Sequence, residues 1–147
     1  MTDCRYLSTI FCDDIRQEIG GKMSFMGVYG GDMFLAKLPA LLPKLCVFAK
    51  VVTPIDKPIK SFGIKVTYGD DVLAEFEPQE IGDVANYEAA ILDDKSVMVV
   101  GTAITLTPFH IAEPGKLLVH AKTESEELSA PGLAISVNEA SPPQSNL

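Results

Sequence analysis

The segment SFGIKVTYGDDVLAEF, residues 61–76, carries the clearest fold signal in the chain. Polar or small residues alternate with apolar ones along residues 61–69, and the apolar set is Phe62, Ile64, Val66 and Tyr68. Strict alternation of this length is typical of a β-strand with one buried face and one wet face. Gly69-Asp70-Asp71 is a turn signal, and residues 72–76 read as the returning partner. We therefore predict a β-hairpin here.

Further strands are predicted on both sides of this hairpin. Residues 44–53, KLCVFAKVVT, are apolar on both alternating faces, as in a central strand that is covered on both sides. Gly20-Gly21 is a tight-turn signal because glycine adopts positive φ without a Cβ penalty. Asp13 and Asp14 are expected to interrupt the first strand. The remaining predicted strands are residues 5–12, 22–29, 33–38, 97–107, 117–123 and 132–137.

The pattern favours an all-β architecture. About eight short strands with connections too short for crossover helices indicate antiparallel pairing. A β-sandwich of immunoglobulin or C2-like type fits best, with an up-and-down barrel as the lesser alternative. Residues 78–96 leave room for at most one short helix. We predict a single sandwich domain over residues 1–140, an exposed loop at 124–131 and a polar tail at 141–147.

Composition and charge narrow the classes of function. The chain has 147 residues, a net charge of −8 and only 12 scattered basic residues, so neither nucleic acid nor an anionic membrane is expected as a direct partner. Its three cysteines, Cys4, Cys12 and Cys46, suit reduced thiols better than a disulfide framework. The N-terminus lacks a signal-peptide pattern. We expect a location in a host or bacterial cytoplasm, or in a virion.

Acidic residues are the first candidates for a site. Asp13, Asp14, Glu18, Asp70 and Asp71 could act as loop carboxylates for calcium, and Asp93 and Asp94 offer more. Their spacing matches no dedicated cation loop, and aspartate is expected at turns because it bonds nearby backbone amides. Turn chemistry is therefore the preferred interpretation, and we predict no metal and no cofactor.

Other motifs give little support for catalysis. Gly20-Gly21-Lys22 is followed by a methionine and a strand, whereas a phosphate loop needs Ser or Thr after the lysine and then a helix. His110 and His120 alone make neither a zinc site nor a triad. Cys46 lies in the most apolar strand, where cysteine is usually a small core residue. We predict no catalytic residue.

One apolar cluster allows two interpretations. Its members are Met23, Phe25, Met26, Tyr29, Met33 and Phe34. This cluster contains more apolar side chains than one buried strand face requires. The set is explained either by core packing beside a sheet edge or by an exposed patch that binds another protein.

A longer pattern resembles a known family. The runs IFCDDIRQEIGGKMSFMGVYGGD, LPKLCVFAKVVTP and PFHIAEPGKLLVHAK are similar to an uncharacterised family of small single-domain proteins in bacterial and tailed-phage genomes. The hallmark positions are Cys12, Asp13, Asp14, Ile15, Arg16, Glu18, Gly21, Lys22, Gly27, Val28 and Tyr29. The resemblance implies a sandwich fold and a genomic setting, but no catalytic residues.

Three classes of function follow. The leading hypothesis is a non-enzymatic interaction module, such as a capsid decoration or tail accessory protein, with virion proteins or further copies of itself as partners. The second is an acidic effector that binds a host enzyme through clustered aspartates. The third is a metal-dependent ligand binder or small enzyme.

Overall fold

The computed structural model describes residues 4–81, 89–92 and 95–138. In these residues all regular structure is β, which confirms the all-β prediction. The strands are β1 (Tyr6–Gln17), β2 (Met23–Val28), β3 (Asp32–Leu35), β4 (Ala40–Leu42), β5 (Leu45–Pro54), β6 (Ser61–Tyr68), β7 (Asp71–Glu80), β8 (Ala89–Leu92), β9 (Lys95–Leu106), β10 (Phe109–Ile111), β11 (Gly115–Thr123), β12 (Glu127–Ser129) and β13 (Leu133–Val137).

Two main sheets form the fold. One has the strand order β2-β1-β5-β9-β8, and the other has the order β3-β13-β11-β6-β7 with β12 also paired to β11. The short strands β4 and β10 pair separately. Both main sheets are open at their ends in the part of the chain described above. The sandwich is therefore confirmed, and the closed alternative is wrong.

The core lies between the two sheets. In β5 the alternate side chains of Val47, Ala49 and Val51 are fully buried, and they belong to the same apolar cluster as Val66 of β6 and Leu117 of β11. Burial of both faces over most of β5 confirms the central strand predicted at residues 44–53. The alternation along β6 places its apolar side chains in this core, and β6 pairs with β7, which confirms the hairpin predicted at residues 61–76.

Several boundaries differ from the prediction. Asp13 and Asp14 do not interrupt the first strand, because β1 continues through them to Gln17 by pairing with β2. The expected loop at residues 124–131 contains β12, which pairs with β11. The described residues of the stretch 78–96 belong to β7, β8 and β9 apart from residue 81, so they form no helix. Residues 82–88, Asp93, Asp94 and the tail at 141–147 lie outside the described residues.

Pairing also departs from a purely antiparallel pattern. The edge strand β3 runs parallel to β13, with Met33 opposite Ile135. Parallel neighbours need a long connection, and here nearly the whole domain separates the two strands in sequence.

Among the described residues there is no helix with the length and apolar character needed to cross a bilayer.

Strand β1 changes partners along its length. Residues 6–12 pair with β5, whereas residues 12–17 pair with β2, so both ladders meet at Cys12. The far part of the β1–β2 hairpin therefore extends past β5. Its Phe25 ring packs on Phe48 of β5 with 5.4 Å between the centroids, so the hairpin leans over the outer face of the five-stranded sheet.

Arg5 joins the two sheets at one end of the sandwich. Its side chain is only 6% exposed. The guanidinium donates hydrogen bonds to the hydroxyl of Thr53 at 3.2 Å, the hydroxyl of Thr123 at 2.8 Å and the carbonyl of Lys57 at 3.0 Å. It also pairs with the Glu124 carboxylate at 3.1 Å. A single cation thus satisfies acceptors from both sheets and from the loop after β5.

We expect Arg5→Met to lower the free energy of unfolding by about 2–4 kcal/mol, because it leaves a partly buried carboxylate and several acceptors without their donor. Chemical denaturation would measure the change. Arg16→Met is the matched control, since Arg16 is exposed on the hairpin, and it should stay within about 0.5 kcal/mol of the wild type. Equal effects of the two substitutions would contradict this role for Arg5.

Candidate functional site

Three residues of the family-like pattern, Asp13, Gly27 and Tyr29, lie together at the base of the β1–β2 hairpin. The Tyr29 hydroxyl donates a hydrogen bond to the Asp13 carboxylate at 2.8 Å, and Lys44 pairs with the Asp14 carboxylate. Gly27 has φ +68°, and a Cβ there would lie 2.1 Å from an Asp13 oxygen. Glycine is therefore required beside Asp13. These contacts give Asp13, Asp14, Gly27 and Tyr29 a structural role in the hairpin.

The pKa shifts at this cluster hold Asp14, Lys44 and Tyr29 each in one protonation state at neutral pH. The hydrogen bond from Lys44 lowers the pKa of Asp14, and the same bond raises the pKa of Lys44. Burial, together with the Asp13 carboxylate, raises the pKa of Tyr29 to about 12. At neutral pH the phenol is therefore protonated and the Lys44–Asp14 pair is ionised. General acid–base chemistry near pH 7 requires a pKa close to that pH, and these shifts move away from it.

Two cysteines face each other across β1 and β5. Cys12 is opposite Cys46, and both side chains are buried. Burial, followed by the neighbouring Cys46 thiol, raises the pKa of Cys12, which suppresses the thiolate that a nucleophile requires. His110 is exposed on β10 and His120 lies on β11 opposite Lys65. In the described residues no hydrogen bond joins either histidine to a cysteine.

The acidic candidates occupy separate positions. Asp13 and Asp14 are strand residues of the five-stranded sheet rather than loop residues, which corrects the loop assignment. Asp70 and Asp71 lie at the β6–β7 turn of the other sheet, and Glu18 is at the hairpin tip. Within the described residues no group of three or more His, Cys, Asp or Glu side chains is placed to hold a metal ion.

The Met/Phe cluster is divided between different surroundings. Met33 is a core residue with 3% exposure, whereas Phe34 beside it is 61% exposed on the opposite face of β3. Met26 is exposed on β2, and Phe25 is half-buried against Phe48. Met23 and Tyr29 are also half-buried. The structure thus spreads these side chains over two sheets and the core.

A groove with a volume of about 420 Å³ runs along β1. It is lined by residues 6–11 of β1, by Val28 at the end of β2 and residues 29–31 after it, and by Ala130, Pro131 and Gly132 before β13. We call it the edge groove. None of its lining residues carries a charge, although the chain has a net charge of −8. Its volume lies in the range of ordinary ligand pockets.

The floor of the edge groove is an open strand edge. Over residues 6–10, β1 has β5 on one side and no strand partner on the other in the described part of the chain. The Phe11 carbonyl points to the open side, because it accepts a hydrogen bond from the Tyr29 N–H at 2.8 Å. Backbone groups alternate sides along a strand, so the N–H and C=O groups of Leu7 and Thr9 also face the groove.

Small residues make this groove possible. Gly31 adopts φ +128°, and its carbonyl accepts a hydrogen bond from the Ala134 N–H. A Cβ on Gly132 would lie 2.5 Å from the Leu117 carbonyl oxygen, so only glycine permits this approach to β11. Because Ala130 and Gly132 are small, residues 130–132 lie close to the second sheet and leave space beside β1.

The sequence patterns did not point to the edge groove. An uncharged strand, YLSTIF at residues 6–11, and the small-residue runs at 30–31 and 130–132 were the available signals. Each signal is common in β-proteins, and their proximity depends on pairing between distant parts of the chain.

Comparison of the chain with protein-family models, curated proteins and solved structures yields no match. The family resemblance therefore stays a prediction.

We expect the Asp13→Asn variant to lower the pKa of Tyr29 from about 12, because the negative charge that accepts the phenol's hydrogen bond and disfavours the phenolate is lost, while burial keeps the pKa above the ordinary 10.0. In the wild type the neutral phenol stabilises the fold below pH 10, and this contribution is lost between about pH 10 and 12. NMR titration of the Tyr29 ring carbon would report both effects. Asp71→Asn is the control, and an unchanged Tyr29 titration in Asp13→Asn would contradict the contact.

The open edge predicts a pattern of amide exchange. The Leu7 and Thr9 amides should exchange at least about tenfold faster than those of Ser8 and Ile10, which donate to β5. Hydrogen exchange followed residue by residue by NMR measures this alternation. Uniform protection from Leu7 to Ile10 would mean that the edge is covered.

Proposed function

We propose that this protein is a non-enzymatic interaction module that binds a protein partner at the edge groove. The observation that supports the proposal is the unpaired edge of β1 beside an uncharged groove. Exposed edges are usually blunted by charges, proline or a covering segment. Residues 6–10, YLSTI, carry neither charge nor proline. An edge kept in this state is suited to accept a partner by strand addition.

The hairpin next to the groove extends the available surface. Val28, at the end of β2, is 59% exposed and lines the groove, and Met26 on the same strand is 47% exposed. Ile19 at the hairpin tip is 95% exposed. Apolar side chains on a projecting hairpin add contact area that loses water when a partner binds. We include this face in the proposed interface.

The place of this module in an assembly is a finer proposal. A role as a capsid decoration or tail accessory protein is supported by the family resemblance and by the acidic net charge of the chain. This role predicts virion proteins as partners. The acidic effector hypothesis has less support, because Asp13 and Asp14 are engaged by Tyr29 and Lys44. The metal-dependent hypothesis has no group of ligands in the described residues.

Affinity capture from a lysate of the native source tests the proposal. We expect a partner that is retained at near-stoichiometric ratio by the wild type and lost with Ala130→Leu, which fills the edge groove. Ala112→Leu is the control for the added apolar side chain, because Ala112 is exposed in the connection between β10 and β11, and thermal unfolding of Ala130→Leu checks that this half-buried position still permits folding. Capture that is equal for the wild type and Ala130→Leu, or no capture at all, would overturn the edge groove as the binding site.

A further inference from the structure

We infer that the occupant of the edge groove is an extended, uncharged segment of another protein, about five residues long, which adds to β1 as a new strand. This inference rests on the proposed function and specifies the partner's chemistry. It follows from the free backbone groups, the limits of the open edge, the side chains that face the groove, and the net charge of the chain.

The length of the segment is set by the two ends of the open edge. At one end Tyr29 already occupies the position beside Phe11, since its N–H donates to the Phe11 carbonyl. At the other end β1 and its ladder to β5 begin at Tyr6, so Arg5 precedes the strand. Between these limits only Leu7 and Thr9 present both N–H and C=O groups. A segment opposite residues 6–10 can therefore exchange two pairs of backbone hydrogen bonds.

The pattern of side chains in the segment follows from the pleat. Residues opposite Leu7 and Thr9 point inward, toward the small residues Ala130 and Gly132 on the far side of the groove. Those inward positions need small or medium apolar side chains. The alternate positions lie beside Tyr6, Ser8 and Ile10 on the outer face, where polar side chains are tolerated. The expected segment thus has apolar residues at every second position.

The uncharged groove and the negative net charge of the chain determine which residues of the partner are favoured inside the groove and on either side of it. An unpaired charge inside the uncharged groove would lose its hydration without a compensating partner, so the central residues should be neutral. Beyond the groove, the net charge of −8 favours lysine or arginine in the partner and speeds its association.

A second copy of this chain fits the edge less well. Antiparallel self-pairing centred on Ser8 would place Arg5 of the other copy opposite Phe11, at the position that Tyr29 holds. Moving the centre to Leu7 places that Arg5 opposite Thr9 while its guanidinium stays bound to its own sheets. Two chains of charge −8 also repel each other. These constraints favour a foreign segment.

The test uses a displayed library of random peptides of about a dozen residues, selected against the folded full chain. We expect the enriched peptides to share apolar residues at every second position with lysine or arginine outside them. A synthetic peptide of that consensus should slow amide exchange at Leu7 and Thr9 by a larger factor than at Ser8 and Ile10, which already lie in the ladder to β5. Thr9→Pro removes an N–H that faces the groove but spares the ladder to β5, and it should weaken binding at least about tenfold.

Ala130→Leu and its control Ala112→Leu provide a second comparison that does not alter β1. Failure to enrich the alternating pattern, or unchanged exchange at Leu7 and Thr9 when the peptide binds, would overturn the inference. A concentration-dependent dimer that is lost in Thr9→Pro would also overturn it, in favour of a second copy. If a lysate partner is lost with Ala130→Leu but no alternating peptide binds, the proposed function stands and the strand-addition inference fails.

Discussion

The structure depends on one constraint in β1, which cannot be paired on both sides along its whole length. β5 pairs with its first part and β2 with its last part, and the ladders overlap only at Cys12. The chain leaves β2 through residues 28–31 and crosses to the other sheet. That departure opens the edge at Leu7 and Thr9 and also projects the hairpin beyond β5. The groove and the exposed hairpin face therefore have a common origin.

The residues with the most distinctive chemistry act where the hairpin departs. Asp13 accepts from Tyr29 and fills the space over Gly27, while Asp14 pairs with Lys44. These contacts hold the hairpin base and commit the charged groups to each other. The proposed binding edge instead uses backbone N–H and C=O groups, which every residue carries. Leu7 and Thr9 belong to no motif of reactive side chains, so their side chains give no signal of a binding site.

Local patterns were most informative where burial alternates along a single strand. Burial alternates in this way along β6 of the hairpin at residues 61–76, whereas β5 is buried on both faces over most of its length, and both predictions were correct. The strands β4, β8, β10 and β12 have only three or four residues each, too few for a periodic signal. The continuation of β1 through Asp13 and Asp14 was missed because aspartate normally disfavours strands, and here β2 and Lys44 compensate for that tendency.

The sequence by itself determined the all-β class, the main strands and the uncharged character of residues 6–10, because these properties belong to short stretches of chain. It also indicated that Gly20-Gly21 would form a turn, and both residues adopt positive φ. Only the tertiary structure decided which strands are neighbours, that β3 pairs in parallel with β13, and that residues 130–132 lie opposite the free edge of β1. The parallel pairing and the position of residues 130–132 arise from contacts between residues about a hundred or more positions apart, and no local periodicity encodes such contacts.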